Sequence, residues 1–109
     1  MTTGSRLFLN RLALEGFLEL PTKIQRQVVR KLRDVEAAPE SMGYPLRRPL
    51  QGFRGVHSGR HRTIWRMITL EDGERVAEVC YVGIRAQEDE RDAYSEAERI
   101  FGNMGWLLK

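Results

Sequence analysis

Between Ser41 and Leu70 the chain carries six arginines, both of its histidines, and no aspartate or glutamate. The arginines are Arg47, Arg48, Arg54, Arg60, Arg62 and Arg66, and the histidines are His57 and His61. Fixed cations at a phosphate stabilise the negative charge that builds up in its transition state. Histidine is the side chain whose ordinary titration range suits it to take and return a proton near neutrality. No Asp, Glu, His or Cys grouping has metal-ligand spacing, and no Gly-rich phosphate loop or Ser-His-Asp order stands out. The chemistry these residues can support is a metal-free, cofactor-free, arginine-rich site acting on or gripping an anionic partner.

The elements that must position these groups are legible in outline. Gly52-Phe53-Arg54-Gly55-Val56-His57-Ser58-Gly59-Arg60-His61-Arg62-Thr63-Ile64-Trp65-Arg66 reads as strand, Ser-Gly turn, strand. Val79-Cys80-Tyr81-Val82-Gly83-Ile84-Arg85 reads as a buried strand, and Asp72-Gly73 between apolar runs is a short hairpin signal. An antiparallel meander is therefore predicted over about 52–58, 61–70 and 75–84. On its middle strand Arg62, Ile64, Arg66 and Ile68 share one face, and His61, Thr63, Trp65 and Met67 the other. The alternation does not say which face holds a cleft.

Ahead of the meander, Arg6–Leu9 is a predicted strand and Asn10 a helix cap for a short segment with Leu12, Leu14, Phe17, Leu18 and Leu20. Gly16 is a weak point in that helix, at about 1 kcal/mol against alanine. Thr22-Lys23-Ile24-Gln25 has the form of a capping box. Ile24, Val28, Leu32 and Val35 then form an apolar stripe, with Arg26, Arg30 and Arg33 on another face. Residues 40–50 read as a loop whose Arg47-Arg48 pair faces solvent or a partner. A last helix opens at Glu88-Asp89-Glu90, buries Ala93, Ala97 and Ile100, and stops at Gly102. The apolar tail 103–109, with Met104, Trp106, Leu107 and Leu108, is predicted to pack on the domain or on a partner.

At 109 residues the chain is read as one domain, 1–109, of α+β class. Two N-terminal helices are predicted to pack on a small antiparallel sheet, followed by a C-terminal helix. One cysteine, Cys80, excludes an intrachain disulfide and sits in an apolar run as a small buried hydrophobe. No run reaches the roughly 20 apolar residues a membrane span needs, and the first residues lack a signal-peptide pattern. The expectation is a cytoplasmic protein with no membrane association. The net charge of +3 is uneven: residues 1–66 hold 13 Lys+Arg against 5 Asp+Glu, and residues 67–109 hold 5 against 10. A basic body with an arginine-only centre points to nucleic acid or an acidic protein segment.

The hairpin of Gly-aromatic, strand, Gly turn and His61-Arg62-x-Ile64-Trp65 resembles the central hairpin of the RelE/ParE toxin superfamily. Val82-Gly83-Ile84-Arg85 resembles that family's Val-Gly-x-Arg strand end, and Tyr94-Ser95-Glu96-Ala97 the start of the last helix in its RelE branch. The resemblance covers roughly residues 5–101. It implies a RelE-like fold and the toxin of a bacterial type II toxin-antitoxin pair, a ribosome-dependent endoribonuclease that cuts mRNA. It further implies that Arg62 contacts the scissile phosphate, that Arg85 stabilises charge or helps protonate the leaving group, and that Tyr94 orients the nucleotide. The partners implied are a cognate acidic antitoxin, the ribosome and mRNA, with oligomers forming mainly through the antitoxin. Where the family carries lysines on the first hairpin strand, this chain has none between Lys31 and Lys109. His57 or His61 is expected to supply acid/base function instead, His61 standing where the family has an aromatic. Arg47, Arg48, Arg54 and Arg60 are expected to bind RNA phosphates. Two other readings stay open: a ParE-type inhibitor of DNA gyrase that is not an enzyme, and a catalytically inactive relative that only binds its antitoxin.

Overall fold

A computed structural model describes residues 6–84 and residue 100. In chain order the elements are β1 (Arg6–Leu9), α1 (Arg11–Leu18), α2 (Thr22–Ala37), β2 (Tyr44–Pro45), β3 (Arg54–Ser58), β4 (His61–Thr69) and β5 (Arg75–Ile84). The strands form one five-stranded sheet in the order β1-β5-β4-β3-β2. The meander β3-β4-β5 is antiparallel as predicted. The sheet as a whole is mixed, because β1 joins the outer edge of β5 in parallel, Arg6 opposite Val76 and Leu9 opposite Val79. Such a parallel neighbour requires a crossover, and α1 and α2 with the rest of the meander supply it. The predicted last helix falls outside the described residues except for Ile100, which is helical and fully buried. The tail 103–109 and residues Arg85 and Tyr94 also lie outside them.

The helices cover one face of the sheet. Val28 and Val35 of α2 are fully buried against Val56, Trp65, Ala77, Val79 and Val82, with Ile24 and Leu32 packed alongside. Each fully buried valine contributes about 1.5–3 kcal/mol by removal from water, so the stripe is what holds a helix whose surface is otherwise basic. Asn10 caps α1 as expected, its side chain accepting from the Ala13 amide at 3.1 Å. The capping box at Thr22 does not form. Pro21 is the cap residue, Thr22 is already helical, and Gln25 instead donates its side-chain amide to the Phe17 carbonyl at 3.1 Å. Gln25 thereby satisfies a carbonyl near the end of α1, which an isolated reading of 22–25 has no means to reveal. Leu14 and Leu18 are exposed, and Ala13 is the buried residue of α1.

Gly16 has a use that its helix propensity conceals. A β-carbon there would lie 1.9 Å from the Val82 carbonyl oxygen, a backbone atom that cannot step aside. Gly16→Ala would gain about 1 kcal/mol in helix propensity and is expected to lose more by prising α1 from β5. A net destabilisation of roughly 1–3 kcal/mol should appear as a lower urea midpoint with an unchanged m-value.

The opposite face is covered by Leu46, Leu50 and Phe53 from the segment joining β2 to β3, together with Ile64, Cys80, Tyr81 and Ile100. A bulge in β5 builds this second core. Ile64 pairs with Tyr81 but Trp65 pairs with Val79, so Cys80 is the extra residue, and Cys80 and Tyr81 pack into the same cluster. The middle strand β4 keeps the predicted alternation: Ile64 belongs to this core and Trp65 to the helix-covered one. Trp65 also ties down the segment after α2, donating its indole N–H to the Pro39 carbonyl at 2.9 Å.

Cys80 is a core residue, fully buried, with its Sγ 3.4 Å from the Glu78 carbonyl. Burial foremost, and the Glu78 carboxylate after it, push its thiol up from 9.0 to about 12. The neutral thiol fits the fold. Because the folded state keeps the proton longer than the unfolded one, the stability linked to it is lost as pH rises from 9.0 toward about 12. At pH 8 a thiol-specific reagent is expected to leave the folded protein unlabelled and to react once urea unfolds it.

Candidate active site

The tight turn at Gly59, with φ +60° there and no positive φ at Arg60, closes β3 onto β4. The resulting register sets His57 opposite Arg62 and Ser58 opposite His61. Arg62 in turn pairs with Gly83 on β5. Cross-strand partners share a face, so His57, Arg62 and Gly83 form a row on the face away from the helices. Two tyrosines flank that row, each over a glycine. A β-carbon at Gly83 would stand 2.7 Å from the Tyr81 hydroxyl, which donates to the Ile84 carbonyl at 3.2 Å. A β-carbon at Gly55 would stand 3.2 Å from Leu46 and 3.4 Å from the Tyr44 ring. Tyr44 lies beside Gly55 because β2 pairs with β3 there. Its hydroxyl is 2.7 Å from His57 Nε2, and the two rings stack with centroids 5.3 Å apart and 29° between planes.

A cavity of about 280 Å³ opens beside this pair. Pro45, Leu46 and Leu50 form its apolar wall, and Arg47, Arg48 and Arg62 bring cations to it, with Tyr44 and His57. Among the described residues, no acidic one lines it. Arg47 and Arg48 are exposed. Glu78, the buried acid among the described residues, is committed elsewhere on β5. It accepts from Arg66 at 2.9 Å and from Asn10 at 3.0 Å, while Arg66 also lies over the Phe53 ring at 5.9 Å. Removing that carboxylate would strand a largely buried guanidinium, and Glu78→Ala is expected to cost about 3 kcal/mol, read by the same urea titration.

Three of the sequence candidates do not join the row. His61 and His57 are on opposite faces, because the four-residue spacing spans a turn with an odd offset in the ladder. His61 lines a separate hollow of about 400 Å³ against α1, with Glu15 and Glu19 at its rim. Arg54 lies on the Trp65 side and donates to the Met42 and Gly43 carbonyls at 2.8 and 3.2 Å, so it straps the segment entering β2. Arg60 is an exposed turn residue. Tyr44 is the residue that the sequence reading missed; 40–50 read as loop, and a two-residue strand offers no periodicity to detect. Among the described residues, no three of His, Cys, Asp and Glu converge on a site that could hold a metal ion. No described helix is long and apolar enough to cross a membrane.

No protein-family model and no curated protein matches the sequence. Solved structures do match the fold. A double arginine-to-alanine mutant of the Escherichia coli toxin RelE, in its free state, superimposes with a TM-score of 0.63 at 24% identity, over 87% of this chain and 95% of that one. This is the fold of the RelE toxins. The RelBE2 toxin-antitoxin complex of Mycobacterium tuberculosis has a chain that matches with a TM-score of 0.62 at 24% identity, over 76% of this chain and all of that one. A YoeB/ParE toxin from Agrobacterium tumefaciens matches with a TM-score of 0.61 at 14% identity, over 74% and 99%. The RelE fold thus accounts for the helix pair, the sheet and the site face; it leaves the chemistry to the side chains of this chain.

Proposed function

We propose that the protein is the toxin of a toxin-antitoxin pair and that it cleaves mRNA on the ribosome without a metal ion. The observation that carries the reading is the cross-strand pair of His57 and Arg62 beside a cavity that Arg47 and Arg48 also line. In-line cleavage has the RNA 2′-oxygen attack the adjacent phosphorus as the P–O5′ bond breaks. Its products are a 2′,3′-cyclic phosphate and a 5′-hydroxyl. The 2′-hydroxyl proton must leave, the phosphorane's charge must be held, and the 5′-oxygen must gain a proton. Arg62 holds the phosphate, His57 serves proton transfer, and Arg47 and Arg48 grip neighbouring phosphates. Arg85, two residues beyond the Gly83 partner of Arg62, and Tyr94 complete the proposed site. His61, Arg54 and Arg60 have no part in it.

The solved structures of this fold include complexes with antitoxin, one of them a double arginine-to-alanine mutant of E. coli RelE with a RelB peptide at 22% identity and a TM-score of 0.61. On this reading the partner here is an acidic antitoxin segment that covers the arginine-lined face. The test is conditional expression in a bacterial host followed by primer extension on translated mRNA, run beside a gyrase supercoiling assay. Growth arrest with new mRNA ends inside reading frames is expected. Arrest with intact mRNA and lost supercoiling would replace the nuclease by a ParE-type gyrase inhibitor.

A further inference from the structure

We propose that Tyr44 is a catalytic residue that relays protons between the RNA and His57. The proposal rests on the nuclease reading above and goes beyond it by assigning the group that meets the sugar hydroxyl. The Tyr44 hydroxyl sits 2.7 Å from His57 Nε2, a short hydrogen bond, and both residues line the same cavity. In the His57 tautomer that leaves Nε2 unprotonated, its lone pair accepts the tyrosine proton and Nε2 is reached through the phenol. The step balances as follows. The 2′-hydroxyl proton passes to Tyr44 Oη while the Tyr44 proton passes to Nε2, leaving a neutral phenol and an imidazolium. Tyrosine suits this because its hydroxyl both donates and accepts: it donates to the neutral imidazole and accepts from the imidazolium, so the contact survives both halves of the exchange.

The surroundings are built for the pair. Pairing of Tyr44 with Gly55 across β2 and β3 fixes its height on the sheet. Ring stacking at 5.3 Å and 29° holds the imidazole plane against the phenol. Among the described residues, the charged groups that line the cavity with the pair are Arg62 on β4 and Arg47 and Arg48 on the segment after β2. They favour a phosphate at the cavity mouth and the transient anionic oxygen beside it.

Tyr44→Phe separates the relay from packing, since it keeps the ring and removes only the hydroxyl. Two readouts are combined: single-turnover cleavage of mRNA on programmed ribosomes at several pH values, and the NMR titration of the His57 ring in the purified protein. A relay predicts that Tyr44→Phe loses about 10²-fold or more in rate. It also predicts that the double variant with His57→Ala is no slower than the slower single variant, and that the His57 titration moves when the hydroxyl is removed. If the wild type cleaves and Tyr44→Phe cleaves equally fast with an unmoved profile, the relay is wrong and the nuclease reading stands. If Tyr44→Phe is slow but multiplies the defect of His57→Ala, the two act separately and the relay is again wrong. If the wild type cleaves no RNA, both the relay and the reading beneath it fall.

Discussion

Replacing His57 with alanine is expected to slow mRNA cleavage on programmed ribosomes by roughly 10²–10⁴-fold, the range over which a positioned proton-transfer group acts. Arginine has no usable lone pair near neutrality, so none of the cations around His57 can stand in for it. An unperturbed histidine titrates at about pH 6.5, and the wild-type profile between roughly pH 5.5 and 8.5 should carry a limb that His57→Ala removes together with most of the rate. His61→Ala is the internal control. It lies on the other face of the hairpin, against α1, and should leave both the limb and the rate in place. A profile that survives His57→Ala but loses its limb in His61→Ala would move the chemistry to the wrong side of the sheet and overturn the site.

Arg62→Ala should be nearly as damaging. Removing one preorganised donor at a developing charge typically costs roughly 10²–10³ in rate, and growth arrest on conditional expression should disappear. Arg62→Lys keeps the charge but loses the planar fork that can grip two phosphate oxygens, so it should recover part of the rate. Arg66→Ala distinguishes charge in general from charge in this place. Arg66 is on the same face of β4, four residues along, but it belongs to Glu78 and Phe53. Its loss should lower the urea midpoint and, where the protein remains folded, leave cleavage near the wild-type rate. Circular dichroism on each variant separates lost chemistry from lost fold. If Arg62→Ala stays toxic while folded, Arg62 is a structural residue and the phosphate must be held elsewhere.

The antitoxin expectation has a separate consequence. An acidic segment covering Arg47, Arg48 and Arg62 should associate more slowly as salt rises, because the encounter is steered by charge. Salt-independent association, with those arginines accessible in the complex, would place the partner on another surface.

The sequence by itself determined the parts whose signals are local. The Ser-Gly and Asp-Gly turns, the period-two run of β4 and the apolar stripe of α2 place the meander and the second helix, because turn geometry and side-chain periodicity depend on adjacent residues alone. The arginine-only stretch and its two histidines raised the expectation of an anionic partner for the same reason. What only the tertiary structure decided is which of those residues meet. Register across the Gly59 turn puts His57 with Arg62 and sends His61 to the opposite face, since one step along a strand reverses a side chain. Arg54, indistinguishable in sequence from the other arginines, is engaged by the Met42 and Gly43 carbonyls of the segment entering β2. Gly16 is explained by a strand more than sixty residues later. Tyr44 reaches His57 only because a two-residue strand, too short to leave a pattern, docks on the sheet edge beside a glycine. Pairing between segments distant in sequence is set by the summed packing of both faces of the sheet, and no local stretch carries that information.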